Sequence, residues 1–207
     1  GAESPFRFNA NGQPGPDLND VVIPAGDSIW VFVETTAPRG DGEMLWEDSL
    51  LVEQGSFRQS IHLVALAWDA HFHYPNRVLT IDQPEPFADL LIPYVALGAQ
   101  EVWSDDKPHV VYGYAVVDSG ATLTITAGAR VHFHSGSGLW VASGGTLKID
   151  AANAGSFDDP VVLEGDRLEP FYRNIAGQWG GLLGGIFIQR GARAVIQNAW
   201  IRNGTLG

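Results

Sequence analysis

One stretch of the chain nearly repeats itself, and no other feature restricts its fold as much. Gly120-Ala-Thr-Leu-Thr-Ile125 returns as Gly144-Gly-Thr-Leu-Lys-Ile149, so Thr122, Leu123 and Ile125 recur as Thr146, Leu147 and Ile149 at a period of 24 residues. A period of this length marks a solenoid. Three short strands are predicted within one coil, at 122–126, 130–134 and 138–142, with Gly128 and Ser135-Gly-Ser137 at the bends. Three strands per turn is the plan of a parallel β-helix. Alternation points Leu123, Ile125, Val131, Phe133, Leu139 and Val141 inward, and Thr122, Thr124, Thr126, Arg130, His132 and His134 outward. A second coil is expected to continue at 161–163 and 185–188, interrupted at 151–160 and by an excursion over 164–184; a third begins at 194–196 and reaches 199–202.

Composition divides the 207 residues near Pro108. Residues 1–108 hold 10 of the 12 prolines, 8 of the 25 glycines and all of the net charge of −12. The acidic balance speaks against a nucleic-acid partner, which needs a basic surface. No apolar run approaches the roughly 18 to 20 residues of a membrane helix. The absence of cysteine excludes disulfides, thiolate metal sites and cysteine nucleophiles. Neither a phosphate-binding glycine loop nor a nucleophile elbow is found, and no cofactor is expected. The first residue is not Met and the last coil is incomplete, which we read as an internal piece of a longer protein.

Before the repeat the pattern is also β. A strand is predicted over 28–34 after the turn-forming Pro24-Ala-Gly-Asp27, and a hairpin joins 50–53 to 58–66 through Gln54-Gly-Ser56, with a polar loop at 36–42 between them. This order of turn, strand, loop and hairpin resembles the final strands of immunoglobulin-like sandwiches of the abnormal-spindle and hydin type. The expected organisation is a partial immunoglobulin-like β-sandwich over 1–68, a proline-rich, irregular but packed connector over 69–108, and parallel β-helix coils over 109–207.

More specific motifs lie further on: Trp103-Ser-Asp-Asp-Lys-Pro-His-Val-Val-Tyr-Gly-Tyr114, Gly120-Ala-Thr-Leu-Thr-Ile125, Ala129-Arg-Val-His-Phe-His-Ser-Gly-Ser-Gly-Leu139, Glu164-Gly-Asp-Arg-Leu-Glu-Pro170 and Gly177-Gln-Trp-Gly-Gly181. Together they resemble a family of Bacteroidota surface proteins, usually predicted lipoproteins, in which a right-handed parallel β-helix follows an immunoglobulin-like region. The resemblance implies secretion and anchoring of the parent protein at the cell surface by a lipidated cysteine. It implies no particular activity.

The excursion over 164–180 concentrates charged and aromatic side chains on a rigid scaffold, where binding residues usually sit. Asp166, Arg167, Glu169, Tyr172, Arg173 and Trp179, with His132 and His134 on the adjacent outward face, form the expected ligand-binding set. Asp166 with Glu169 has the composition of an acid and base pair, Arg167 of a carboxylate clamp, and Tyr172 and Trp179 of sugar-stacking rings. The expected function is a non-catalytic extracellular structural or binding module with a polysaccharide or another surface protein as partner. A pectate-lyase-like enzyme is the alternative, with Asp158, Asp159, Arg190 and Arg193 in the reacting roles by fold analogy. His71-Phe-His73 and His132-Phe-His134 each project two imidazoles from one strand face, but no spacing nominates a third ligand, so neither is assigned to a metal.

Overall fold

The computed structural model describes residues 4–36, 43–150 and 158–205. All regular structure among them is β, in nineteen strands, and no helix is long and apolar enough to cross a membrane. The chain divides into two compact units, Gly1–Trp68 and Asp69–Gly207.

The first unit opens with a hairpin of β1 (Phe6–Ala10) and β2 (Gln13–Gly15). Its turn is Asn11-Gly12, both at positive φ, which is the preferred pair for the tightest hairpin turn. β3 (Val31–Thr35) pairs antiparallel with the other edge of β1. β4 (Glu43–Gln54) and β5 (Phe57–Trp68) form a long antiparallel hairpin closed by Gly55-Ser56, with Gly55 at φ 57°. Among the described residues here only Phe6 and Ala10 are buried hydrophobics, while Trp30 and Phe32 are exposed. The loop expected over 36–42 lies, apart from Thr36, outside the described residues.

In the second unit the chain visits three sheets in rotation. The first round comprises β6 (His71–His73), β7 (Arg77–Ile81), β8 (Leu90–Ala96) and β9 (Gln100–Trp103), and the second comprises β10 (His109–Val111), β11 (Tyr114–Val117) and β12 (Thr122–Ile125). β13 (Arg130–Phe133), β14 (Gly138–Val141) and β15 (Thr146–Ile149) follow, then β16 (Val161–Gly165), β17 (Ile186–Ile188) and β18 (Arg193–Ile196), and finally β19 (Ala199–Ile201). The sheets are β6-β10-β13-β16-β19, β7-β8-β11-β14-β17 and β9-β12-β15-β18. Every pairing in them is parallel except that of β7 with β8.

Register follows the repeat. Thr122, Leu123 and Ile125 lie beside Thr146, Leu147 and Ile149. The corners align as well: Gly120, Gly144 and Gly191 all have positive φ, and each amide of the first two donates to the carbonyl of the next. Leu123, Ile125, Val131, Phe133, Leu139, Val141, Leu147, Ile149 and Leu163 are completely buried in one apolar interior.

Residues 69–108 are not an irregular connector, because they carry β6–β9 and extend all three sheets. Their prolines concealed this. Pro75, Pro84 and Pro86 lie between strands, and Pro93 sits in β8 just before its pairing with β11 begins at Tyr94, so its missing N–H interrupts no bond of that ladder. The interruption expected at 151–160 falls outside the described residues up to 157.

Candidate functional site

The inward columns that are aliphatic in later rounds are imidazole in the first ones. His71 and His109 share a column with Val131 and Leu163, while His73 shares one with Val111 and Phe133. On the neighbouring sheet, Trp103 occupies the column of Ile125 and Ile149. This end of the interior is therefore a packed aromatic and histidine cluster. Ring centroids are 4.6 Å apart for His73 and Trp103, 4.9 Å for Trp103 and His109, and 4.9 Å for His71 and His109.

The segment between β9 and β10 brings a carboxylate to the cluster. Lys107 pairs with Asp69 at 2.8 Å, tying this segment to the residues before β6. Asp106 Oδ2 lies 3.0 Å from His71 Nε2, and its other oxygen accepts a hydrogen bond from the Ser104 hydroxyl. The Ser104 bond, then the His71 bond, holds the Asp106 carboxyl down to about 2. His73 Nε2 is 3.1 Å from His109 Nδ1, and His109 Nε2 is buried without a hydrogen-bond partner of ordinary geometry. Burial, reinforced by neighbouring imidazoles, depresses both His73 and His109 to about 4, so both rings are neutral at physiological pH. One ligand atom each from His71, Asp106 and His109 lie within 4.8 Å of one another, a grouping capable of holding a metal ion. Sequence spacing could not nominate His109 as the third ligand, because β7 lengthens the first round and puts 38 residues between paired His71 and His109 instead of 24.

A second arrangement runs along the ends of the same strands, where Tyr74, Tyr112, His134 and Asp166 each follow the last residue of β6, β10, β13 and β16. Phe72 stacks on Tyr74 at 5.8 Å, Tyr74 on Tyr112 at 4.9 Å, and Tyr112 meets His134 at 4.7 Å. His134 Nδ1 is 2.6 Å from Asp166 Oδ2, which ends the file. Phe72, Tyr74 and His134 are exposed and Tyr112 half-buried. Burial, with the nearby Asp166 charge, raises the Tyr112 phenol above its ordinary value, so it stays protonated.

The expected ligand-binding set is dispersed by these contacts. Trp179 is in the core, stacked on Phe133, because the excursion folds its ring inward and its Nε1 donates to the Arg202 carbonyl at 2.9 Å. His132 is fully buried rather than solvated, flanked in its column by Val110 and Glu164, with Nδ1 3.8 Å from Glu164 Oε1. The other Glu164 oxygen accepts from Arg202 Nε at 2.8 Å. Arg167 Nε donates to both oxygens of Glu169, and the guanidinium lies 3.9 Å from the Tyr172 ring centre. Partial burial opposes ionisation of Glu169, yet the Arg167 contacts outweigh it and hold the carboxyl below its usual value. Arg173 is exposed, its carbonyl accepting from Asn203 Nδ2. Asp166 and Glu169 therefore engage His134 and Arg167 respectively, and do not pair as acid and base. Of the expected set, His134 and Asp166 belong to the exposed file. Compared with family models, with curated proteins and with solved structures, the chain matches none.

Proposed function

We propose that this chain is a non-catalytic extracellular binding module, a right-handed parallel β-helix preceded by part of an immunoglobulin-like sandwich, from a lipid-anchored surface protein of the Bacteroidota type that its motifs resemble. Its ligand is a polysaccharide. The observation that carries this reading is the file Phe72, Tyr74, Tyr112, His134 and Asp166, in which Phe72, Tyr74 and His134 are exposed and successive coils present Tyr74, Tyr112, His134 and Asp166 one each at the ends of stacked strands. Tyrosine joins an apolar body to a polar tip. A pyranose packs its C–H surface on such rings while its hydroxyls hydrogen-bond to phenols, imidazole and carboxylate. A regular file suits a regular polymer better than a single small molecule.

The test is a glycan array probed with the full chain and with Tyr74→Ala and Tyr112→Ala. Binding of a glycan that falls in both variants, with no product released, supports the module. Binding that both variants leave unchanged overturns the assignment of the file, and product release overturns the non-catalytic reading. Silence on glycans together with capture of a surface protein through the same file replaces the polysaccharide by a protein ligand.

A further inference from the structure

We infer that His71, Asp106 and His109 form a binding site for a divalent first-row transition cation, for which zinc is the probe. The inference is independent of the glycan-binding reading, since the two sets share no residue.

The geometry is close to that of a bound ion. Zinc holds nitrogen and oxygen ligands at about 2.0–2.2 Å, which places tetrahedral ligand atoms roughly 3.3 Å from one another. His71 Nε2 and Asp106 Oδ2 are already 3.0 Å apart. The whole set spans no more than 4.8 Å and needs only a modest contraction. The side chains of His71 and Asp106 are 47% and 55% exposed, which leaves both room to turn.

His109 is the fixed ligand. It is buried, and its Nδ1 is engaged by His73 Nε2 at 3.1 Å. When Nδ1 carries the proton and donates it to His73, the lone pair is on Nε2, which makes no hydrogen bond of ordinary geometry although the Ser104 backbone acts on the ring. Burial of a polar atom without a partner costs free energy, and a bound cation removes that cost. His73 thereby acts as a positioning residue that sets the tautomer, and Ser104 does the same for the Asp106 carboxylate. Two imidazoles and one carboxylate suit zinc and its neighbours, whereas calcium and magnesium take oxygen ligands. Three protein ligands leave a fourth position for water.

Zinc is titrated calorimetrically into the chelator-treated full chain at neutral pH, with calcium as a comparison, and folding of each variant is checked by circular dichroism. The expected result is one zinc ion per chain, little or no binding of calcium, and an affinity that drops by about tenfold or more in both His71→Ala and Asp106→Asn. The exposure of both side chains makes these variants fold; His62→Ala and His134→Ala serve as controls that keep the affinity. Cobalt in place of zinc is expected to give visible bands that His71→Ala weakens. The inference is overturned by a zinc affinity weaker than about 100 μM, by an affinity that neither His71→Ala nor Asp106→Asn lowers, or by loss of binding in His134→Ala instead.

Discussion

Trp179 lies flat against Phe133, with ring centroids 4.2 Å apart and planes inclined by 13°. This contact joins the excursion after β16 to the interior of β13. A Cβ on Gly185 would come 2.7 Å from the Trp179 ring, so the glycine after the excursion is what lets the indole enter. Trp179→Ala is expected to destabilise the chain by about 3–5 kcal/mol, the usual cost of emptying a large aromatic site. Urea denaturation followed by circular dichroism measures it; a change below about 1 kcal/mol would mean that the excursion is not anchored through this ring.

The aligned corners make a second prediction. Gly120 and Gly144 have φ of 77° and 82°, a region in which a Cβ is penalised by roughly 1–2 kcal/mol. A Cβ on Gly120 meets nothing, but one on Gly144 comes 2.7 Å from Ser119 Oγ. Gly144→Ala should therefore cost more than Gly120→Ala, and Ser119→Ala should recover the difference in the double variant. Additive effects in that cycle would rule out crowding at the corner.

Legibility in the sequence followed periodicity. The rounds from β12 to β15 could be read because Leu123, Ile125, Leu147 and Ile149 alternate without interruption and their corner glycines repeat. The first round is not legible in the pattern because its inward positions are His71, His73 and Trp103, which do not read as core, and because prolines punctuate it. The hairpin at Asn11-Gly12 carries a plain turn signal in the sequence. Trp179 and Tyr172 read alike as candidate stacking rings, and nothing in composition separates an indole that folds inward from a phenol held under Arg167. The His109 partnership with His71 depends on strand register, which pattern alone does not supply across an inserted strand.

Acid is expected to weaken the metal-free chain in two stages. His73 and His109 titrate near 4 when folded and near 6.5 when unfolded. Between those values the unfolded chain binds more protons, so stability is greatest above about pH 6.5 and is lost as pH falls towards 4. Asp106, depressed to about 2, adds a further loss between about pH 4 and pH 2, as its folded-state hydrogen bonds from Ser104 and His71 are surrendered. Urea midpoints measured with chelator present should decline from about pH 7 to about pH 5, with a shallower decline in His73→Gln. A flat profile over that interval would contradict the neutral, buried state of these rings.

Arg167 separates the excursion from the aromatic file. Its guanidinium is 49% exposed and spends its hydrogen bonds on Glu169, 2.9 Å away, and its face on Tyr172. An exposed pair of this kind contributes about 0–1 kcal/mol, because solvent screens the charges and two long side chains must be ordered. Arg167→Ala is expected to shift the urea midpoint little and to leave glycan binding intact, whereas Tyr74→Ala leaves stability intact and weakens binding. Tyr74 is 58% exposed and its ring stacks on the exposed Phe72 and the half-buried Tyr112, so its removal should change stability by no more than about 0.5 kcal/mol. The opposite outcome, binding lost in Arg167→Ala and kept in Tyr74→Ala, would move the ligand from the file to the excursion and make the Arg167–Glu169 contact a resting state that the ligand opens.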